Sequence, residues 1–138
     1  PLPGFRNRKI VSRGSPMTAA PALPLHQLDC DTDYQRAQPI APEYLAELLP
    51  QISGWRVTVD QSVGKLCCRY KRHNFTDAIA LAAAVGVIAD RQDHHPTILV
   101  EYGAVTVTWW THAIGGLHLN DLIMAAKTDK IAASNRCY

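Results

Sequence analysis

From residue 41 onward the apolar positions change period several times, and each change marks an element. Tyr44, Leu45, Leu48 and Leu49 recur at helical spacing. Pro42 suits a first turn, and Pro50 and Gly54 lie beyond the end. This predicts a short helix over 41–49. From Trp55 to Asp60 the period drops to two, with Trp55, Val57 and Val59 on one face and Arg56, Thr58 and Asp60 on the other. A turn at 61–64 and a second strand, Lys65–Lys71, complete an antiparallel hairpin with one wet face. Asn74 to about Gln92 returns to helical period. Asn74 is placed to cap it, Asp77 supports its first turn, and Phe75, Ala78, Ile79, Ala82, Val85 and Ala89 form its stripe. Pro96 forces extended backbone on His95.

Two more strands follow, Thr97–Tyr102 and Ala104–Thr111, about a tight turn at Gly103. Val105, Val107 and Trp109 share one face of the second; Thr106, Thr108, Trp110 and His112 share the other. Gly115-Gly116 interrupts the chain. Asn120 and Asp121 then open a last helix with Leu122, Ile123 and Ala126 turned inward. The order is α-β-β-α-β-β-α without internal repeats. Two hairpins separated by a helix predict an α+β fold, a four-stranded antiparallel sheet with three helices packed on one face.

Composition changes this picture at the beginning of the chain. The 138 residues suffice for one domain with a real core. Residues 1–28 carry Pro1, Pro3, Pro16, Pro21 and Pro24 and no apolar period, which predicts a disordered lead before a single domain at 29–138. With Met17 as the natural start, residues 1–16 are tag-derived; an organelle-targeting segment is the alternative that the prolines disfavour. The formal charge of +2 is misleading, because Arg6, Arg8, Lys9 and Arg13 lie in that acid-free stretch. The other ten basic residues face twelve acidic ones, which argues against direct nucleic-acid binding by the folded part. No run is long enough to span a bilayer and no secretory segment is visible, so the expected location is cytoplasmic. Cys30, Cys67, Cys68 and Cys137 form neither a C-x-x-C pair nor a disulfide framework, and read as thiols in a reducing compartment.

The chemistry concentrates in Asp90–Asp121, which holds four of the six histidines. His94 and His95 stand where the long helix gives way to a strand. His112 stands at the far end of the hairpin that returns toward them. Three imidazoles at one end of a sheet can move protons near neutral pH. A zinc site would need them to converge on one ion, but adjacent residues of an extended chain diverge, and neither H-x-H nor H-x-x-x-H occurs. No metal is therefore assigned. Asp90 precedes His94 by one helical turn, and Trp110 shares the His112 face, where it could wall a flat ligand or pack in a dimer. His26, His73 and His118 receive no role.

The pattern Asp90-x-x-x-His94-His95-Pro96, then Tyr102, His112 and Asp121, resembles the signature of the pterin-4a-carbinolamine dehydratases, also called the dimerization-cofactor family. Val105, Val107, Trp109, Thr111, His112, Gly115, Gly116 and Leu117 resemble the family's second-hairpin strand and following loop, and Gly54-Trp55 its entry to the first strand. The likeness covers roughly Leu28 to Ile131. It implies loss of water from 4a-hydroxytetrahydropterin to give quinonoid dihydropterin, in the recycling of tetrahydrobiopterin for an aromatic amino-acid hydroxylase. It further implies a homodimer or homotetramer and no metal or redox cofactor. By the same resemblance His94 and His112 are the acid–base pair, His95 orients the pterin, and Asp121 holds a histidine or the pterin. Asp90 tunes His94, and Thr111 and Pro96 help line the pocket. Trp109, Trp110 and Asn120 depart from the family's usual residues at those places. Other readings are a dimerising transcriptional coactivator without catalysis and a pterin role in molybdopterin metabolism.

Overall fold

The computed structural model describes residues 21–134. Helix α1 (Pro42–Leu48) runs on into a 3-10 turn at Leu49–Ile52; strands β1 (Arg56–Asp60) and β2 (Val63–Lys71) form the first hairpin. Helix α2 (Phe75–Gln92) leads to the second hairpin, β3 (Thr97–Glu101) and β4 (Ala104–Trp109), and helix α3 (Leu119–Ser134) closes the domain. The four strands are antiparallel in the order β1-β2-β4-β3. The architecture is the expected α+β one, and the element order is as the periods predicted.

The register explains which residues make the core. Leu66 pairs with Trp109, Cys68 with Val107 and Tyr70 with Val105, and on the other side of β4 Ile98 pairs with Val107. These side chains share the face beneath the helices, where Leu66, Val105, Val107 and Trp109 are fully buried. Asp129 of α3 ties the helix layer to the sheet by accepting from Trp55 Nε1 (3.0 Å) and Tyr70 Oη (2.6 Å).

Helix α3 is the centre of the molecule. Every residue from Asn120 to Ala126 is buried, so its first two turns are enclosed on all sides. One flank is closed by a segment expected to lack structure. Residues 25–27 form a 3-10 turn against α3, and Leu25 is fully buried in the common core. The reason is visible in the bonds: Lys127 Nζ donates to the His26 carbonyl, and the Leu25 N–H donates to Gln51 Oε1. The predicted disorder thus does not hold for 21–28, and for 1–20 it concerns positions outside the described residues.

Two sequence-based faces are also corrected. Asn74 caps α2 as expected, its Oδ1 accepting from the Asp77 N–H at 2.8 Å. The buried arc, however, is Ala78, Leu81, Val85 and Ala89, while Phe75 and Ile79 remain about half exposed. The stripe is rotated because α2 meets the sheet along its small residues and one leucine. Trp55, just before β1, is buried, but Val57 and Val59 on this edge strand are exposed.

Candidate active site

Helix α2 ends in a way that separates the two adjacent histidines. Asp93 adopts the left-handed conformation (φ 51°, ψ 44°), the Asp93 N–H bonds back to the Asp90 carbonyl, and the His94 N–H to that of Ala89. This paired closure is a Schellman turn. It sends His94 inward, to 5% exposure, and leaves His95 on the surface. The chain then enters β3, while β4 delivers Thr111 and His112 to the same end of the sheet.

His94 is held on every side. Its Nε2 lies 2.6 Å from Asp121 Oδ1, and its Nδ1 lies 3.1 Å from the Tyr34 hydroxyl. Tyr34 (centroids 5.9 Å, 18° between planes) and Trp109 (5.6 Å, 13°) lie nearly parallel to its ring. Trp109 is fixed in turn by donating from Nε1 to Thr128 Oγ1. Trp109 therefore builds the floor under His94.

Asp121 is fully buried and accepts three bonds. Beside His94, Thr111 Oγ1 donates to its Oδ2 (2.9 Å), as does the His118 N–H (2.9 Å). The second contact is half of a capping box: the His118 Nδ1 accepts from the Asn120 N–H at 2.9 Å, while the acid three residues on reaches back to the His118 N–H. One carboxylate thus starts α3 and orients His94. His118 has this structural role, which its sequence position did not reveal; an imidazole is an uncommon cap.

Burial holds the His118 imidazole below its ordinary pKa and His94 adds to this, against the opposing pull of Asp121 and Asp31. A bond accepted at Nδ1 works in the same direction, because it favours the neutral ring. The unfolded chain therefore binds more protons than the folded one in this range, and stability rises with pH there. The His118 contribution is complete above about pH 6.5, the unperturbed value, and is lost as pH falls through the lower folded one. Urea midpoints at pH 7.5 and 5.5 should show a smaller loss on acidification for His118→Asn, a good cap that does not titrate, than for the wild-type protein.

His95 points outward with Nε2 2.9 Å from Asp90 Oδ1, both side chains being more than half exposed. Asp90 thus pairs with His95 and not with His94, because the left-handed residue at 93 breaks the one-turn register that sequence spacing assumed. The strand carrying His112 also ends sooner than expected, at Trp109. Thr111 bridges to Gly116, and His112 opens a 3-10 turn that closes at Gly115 in left-handed geometry (φ 57°). His112 is exposed, its ring stacked on Trp110 (4.5 Å, 19°). Lys65 Nζ sits 4.0 Å from the Trp110 ring and 3.1 Å from Asp60 Oδ2.

A cavity of about 270 Å³ opens between these elements, lined by Tyr34, Asp93, His94, His95, Thr111, His112 and Ala113. It gathers four residues expected to touch substrate: His94, His95, Thr111 and His112. Asp121 lies behind His94 and Thr111. Asp90, Pro96 and Trp110 are not among the lining residues, and Trp110 acts on the cavity only through His112. Tyr102 is exposed at the β3–β4 turn, away from the cavity. Tyr34, Asp93 and Ala113 are the lining residues that sequence reasoning missed. Tyr34 comes from a segment without periodicity, and a left-handed Asp93 leaves no trace in the residue pattern. Among the described residues no group of three or more His, Cys, Asp or Glu side chains is placed to hold a metal ion.

A family model described as pterin 4 alpha carbinolamine dehydratase matches residues 38–131. A protein of Gloeobacter violaceus named "Putative pterin-4-alpha-carbinolamine dehydratase 1" is 49% identical over 89 residues, covering 64% of this chain and 77% of that protein. A relative from Nitrosococcus oceani, named for the same activity with the same qualifier, is 41% identical over 107 residues, covering 78% and 95%. Among solved structures, a transcriptional coactivator/pterin dehydratase from Brucella melitensis aligns with a TM-score of 0.62 and 27% identity, over 69% of this chain and 99% of that one.

Proposed function

The chain belongs to the pterin 4 alpha carbinolamine dehydratase family, and on that footing we propose that it removes water from a 4a-hydroxytetrahydropterin to give quinonoid dihydropterin, in the recycling of tetrahydrobiopterin for an aromatic amino-acid hydroxylase. The observation that carries this reading is the meeting of His94, His95 and His112 at one cavity, with a buried carboxylate behind His94 and an exposed one beside His95.

The chemistry asks for that set. A carbinolamine gives up hydroxide poorly, so an acid must protonate the departing 4a oxygen while a base takes the proton from the neighbouring ring nitrogen. Positioned imidazoles supply each step near neutral pH, each for ~10²–10⁴-fold. His94 and His112 form the acid–base pair, and His95, steadied by Asp90, meets the pterin ring at the cavity rim. None of these steps calls for a metal or redox cofactor.

Self-association as a homodimer or homotetramer belongs to the same proposal. Phe75, Ile79 and Val87 leave apolar side chains exposed along α2, surface that a second copy would cover. No described helix is long and apolar enough to cross a membrane, and we place the protein in the cytoplasm.

The test follows the decay of freshly generated 4a-hydroxytetrahydropterin by its ultraviolet absorbance, with and without a chelator. Acceleration that survives the chelator is expected. A folded protein that leaves the decay unchanged would overturn the dehydratase reading in favour of an interaction role, the other half of the Brucella protein's name.

A further inference from the structure

His94 lines the cavity but offers it no free ring nitrogen. Both of its nitrogens are engaged, Tyr34 and Trp109 pack against it, and only 5% of it is exposed. The group on its open side is the Tyr34 hydroxyl. That oxygen lies 3.1 Å from His94 Nδ1 and 2.8 Å from the Asp93 carbonyl, and Tyr34 and Asp93 both line the cavity.

The hydrogen bonds assign the protons. The Asp93 carbonyl only accepts, so the phenolic proton points to it. Asp121 Oδ2 takes two donors and behaves as an ionised acceptor, so Nε2 of His94 donates to Oδ1. The Tyr34 oxygen is then left to accept from Nδ1. All three contacts are satisfied together only when His94 holds a proton on each ring nitrogen. The series Asp121–His94–Tyr34 is thus connected to pass a proton outward from a buried imidazole backed by a carboxylate, with a phenol at its outer end. Burial, with the Asp93 charge adding to it, pushes the Tyr34 hydroxyl up to about 12, so the phenol stays protonated at neutral pH.

The chain also fastens the segment that brings Tyr34 here. Asn120, fully buried at the start of α3, donates from Nδ2 to the Asp31 carbonyl (2.8 Å) and accepts the Asp31 N–H on Oδ1 (2.9 Å). Gln92 at the end of α2 accepts the Cys30 N–H (2.7 Å) and donates to Asp29 Oδ1 (3.1 Å). Asp31 Oδ1 then accepts the Asp33 N–H, turning the chain into the 3-10 turn at Tyr34–Arg36. Four bonds from the two helices flanking His94 hold 29–31, and Tyr34 follows three residues later. Asn120 departs from the family's usual residue, and this clamp is what it does.

We propose that Tyr34 is a further catalytic residue, the terminal proton donor through which His94 protonates the departing hydroxyl. The step rests on the dehydratase reading above. As substrate binds, the Tyr34 O–H turns from the Asp93 carbonyl to the 4a oxygen and its proton passes there, and the C4a–O bond breaks with its electron pair leaving as water. The ring-nitrogen lone pair forms the C=N bond, and His112 removes the nitrogen's proton. Tyr34 recovers its proton from His94 Nδ1, and His94 ends neutral, still donating to Asp121. One proton enters from solvent to recharge His94 and one leaves from His112, so the cycle closes.

Tyr34→Phe tests this, since it keeps the ring stacked on His94 and removes only the hydroxyl. Wild-type, Tyr34→Phe and Tyr34→Leu proteins are compared for kcat, KM and urea midpoint, with 15N spectra of the histidine rings. The expected result for Tyr34→Phe is a kcat lower by about 10²-fold, KM within about twofold, an unchanged midpoint, and a displaced His94 Nδ1 resonance. A Tyr34→Phe enzyme with wild-type kcat overturns the role, as does a loss confined to KM or to stability and shared equally by Tyr34→Leu. No acceleration by the wild-type protein would overturn the dehydratase reading, and this role with it.

Discussion

His112→Ala should fold like the wild-type protein and dehydrate the substrate at least ~10²-fold more slowly, the low end for loss of a positioned acid or base. The fold should survive because little depends on this ring. It is exposed, among the described residues its nitrogens have no hydrogen-bond partner, and its contact is the stack on Trp110. The 3-10 turn that carries it is held by backbone bonds, Gly115 N–H to the His112 carbonyl and Ile114 N–H to that of Thr111, which alanine keeps. An aromatic pair contributes ~0.5–1.5 kcal/mol beyond its buried area, and an exposed pair belongs at the low end. The rate has no such reserve. His112 lines the cavity from the 3-10 turn that follows β4, and water in its place is a weak base near neutral pH. A hundredfold loss corresponds to about 2.7 kcal/mol of barrier, well above the stability change. The measurement is kcat for 4a-hydroxytetrahydropterin decay together with circular dichroism and a urea midpoint. Near-wild-type turnover in a folded variant would remove His112 from the mechanism.

The positions of the three histidines were legible in the sequence, and their partners were not. Changes of period located all four strands and three helices, because alternation and helical spacing report directly on which side of an element is buried. What failed was rotation and ending. The α2 stripe was drawn through Phe75 and Ile79, since apolar character alone cannot say which of two neighbouring arcs meets the sheet; Leu81 does. Asp90 was matched to His94 by one-turn spacing, but spacing holds only while the helix continues, and Asp93 ends it in a conformation that favours glycine. Tyr34 lies in a stretch with no period, placed over His94 by Asn120 and Gln92 from about 60 to 90 residues away. Long-range clamps of this kind leave no local pattern. The same logic applies to Trp109 and Asn120, whose contacts support His94 and the segment leading to Tyr34.

Asp121 separates folding from chemistry most sharply, because two substitutions there should fail in different ways. Asp121→Ala should lower stability by about 3–5 kcal/mol, the range for removing one partner of a buried pair. It strands three donors at once: His94 Nε2, Thr111 Oγ1 and the His118 N–H. In a domain whose total stability is of order 5–15 kcal/mol, much of the protein would unfold under mild conditions. Asp121→Asn keeps the volume and one acceptor oxygen. That oxygen can take the Thr111 and His118 donors, so the start of α3 survives. The amide nitrogen then faces His94 Nε2 as a donor, and His94 must turn that nitrogen into an acceptor. The ring is left in the opposite tautomer, with no carboxylate to balance a second proton. In serine-protease triads the corresponding change costs ~10⁴ in rate by this route, and a fall of ~10²–10⁴-fold is expected here for an acid that can no longer be recharged. Urea midpoints and kcat measured on both variants decide between two roles. A folded, slow Asp121→Asn protein means that the carboxylate works on His94. A folded Asp121→Asn protein with wild-type turnover means that Asp121 serves α3 as a cap and His94 as packing, and the proton must then reach the substrate without the buried series at all.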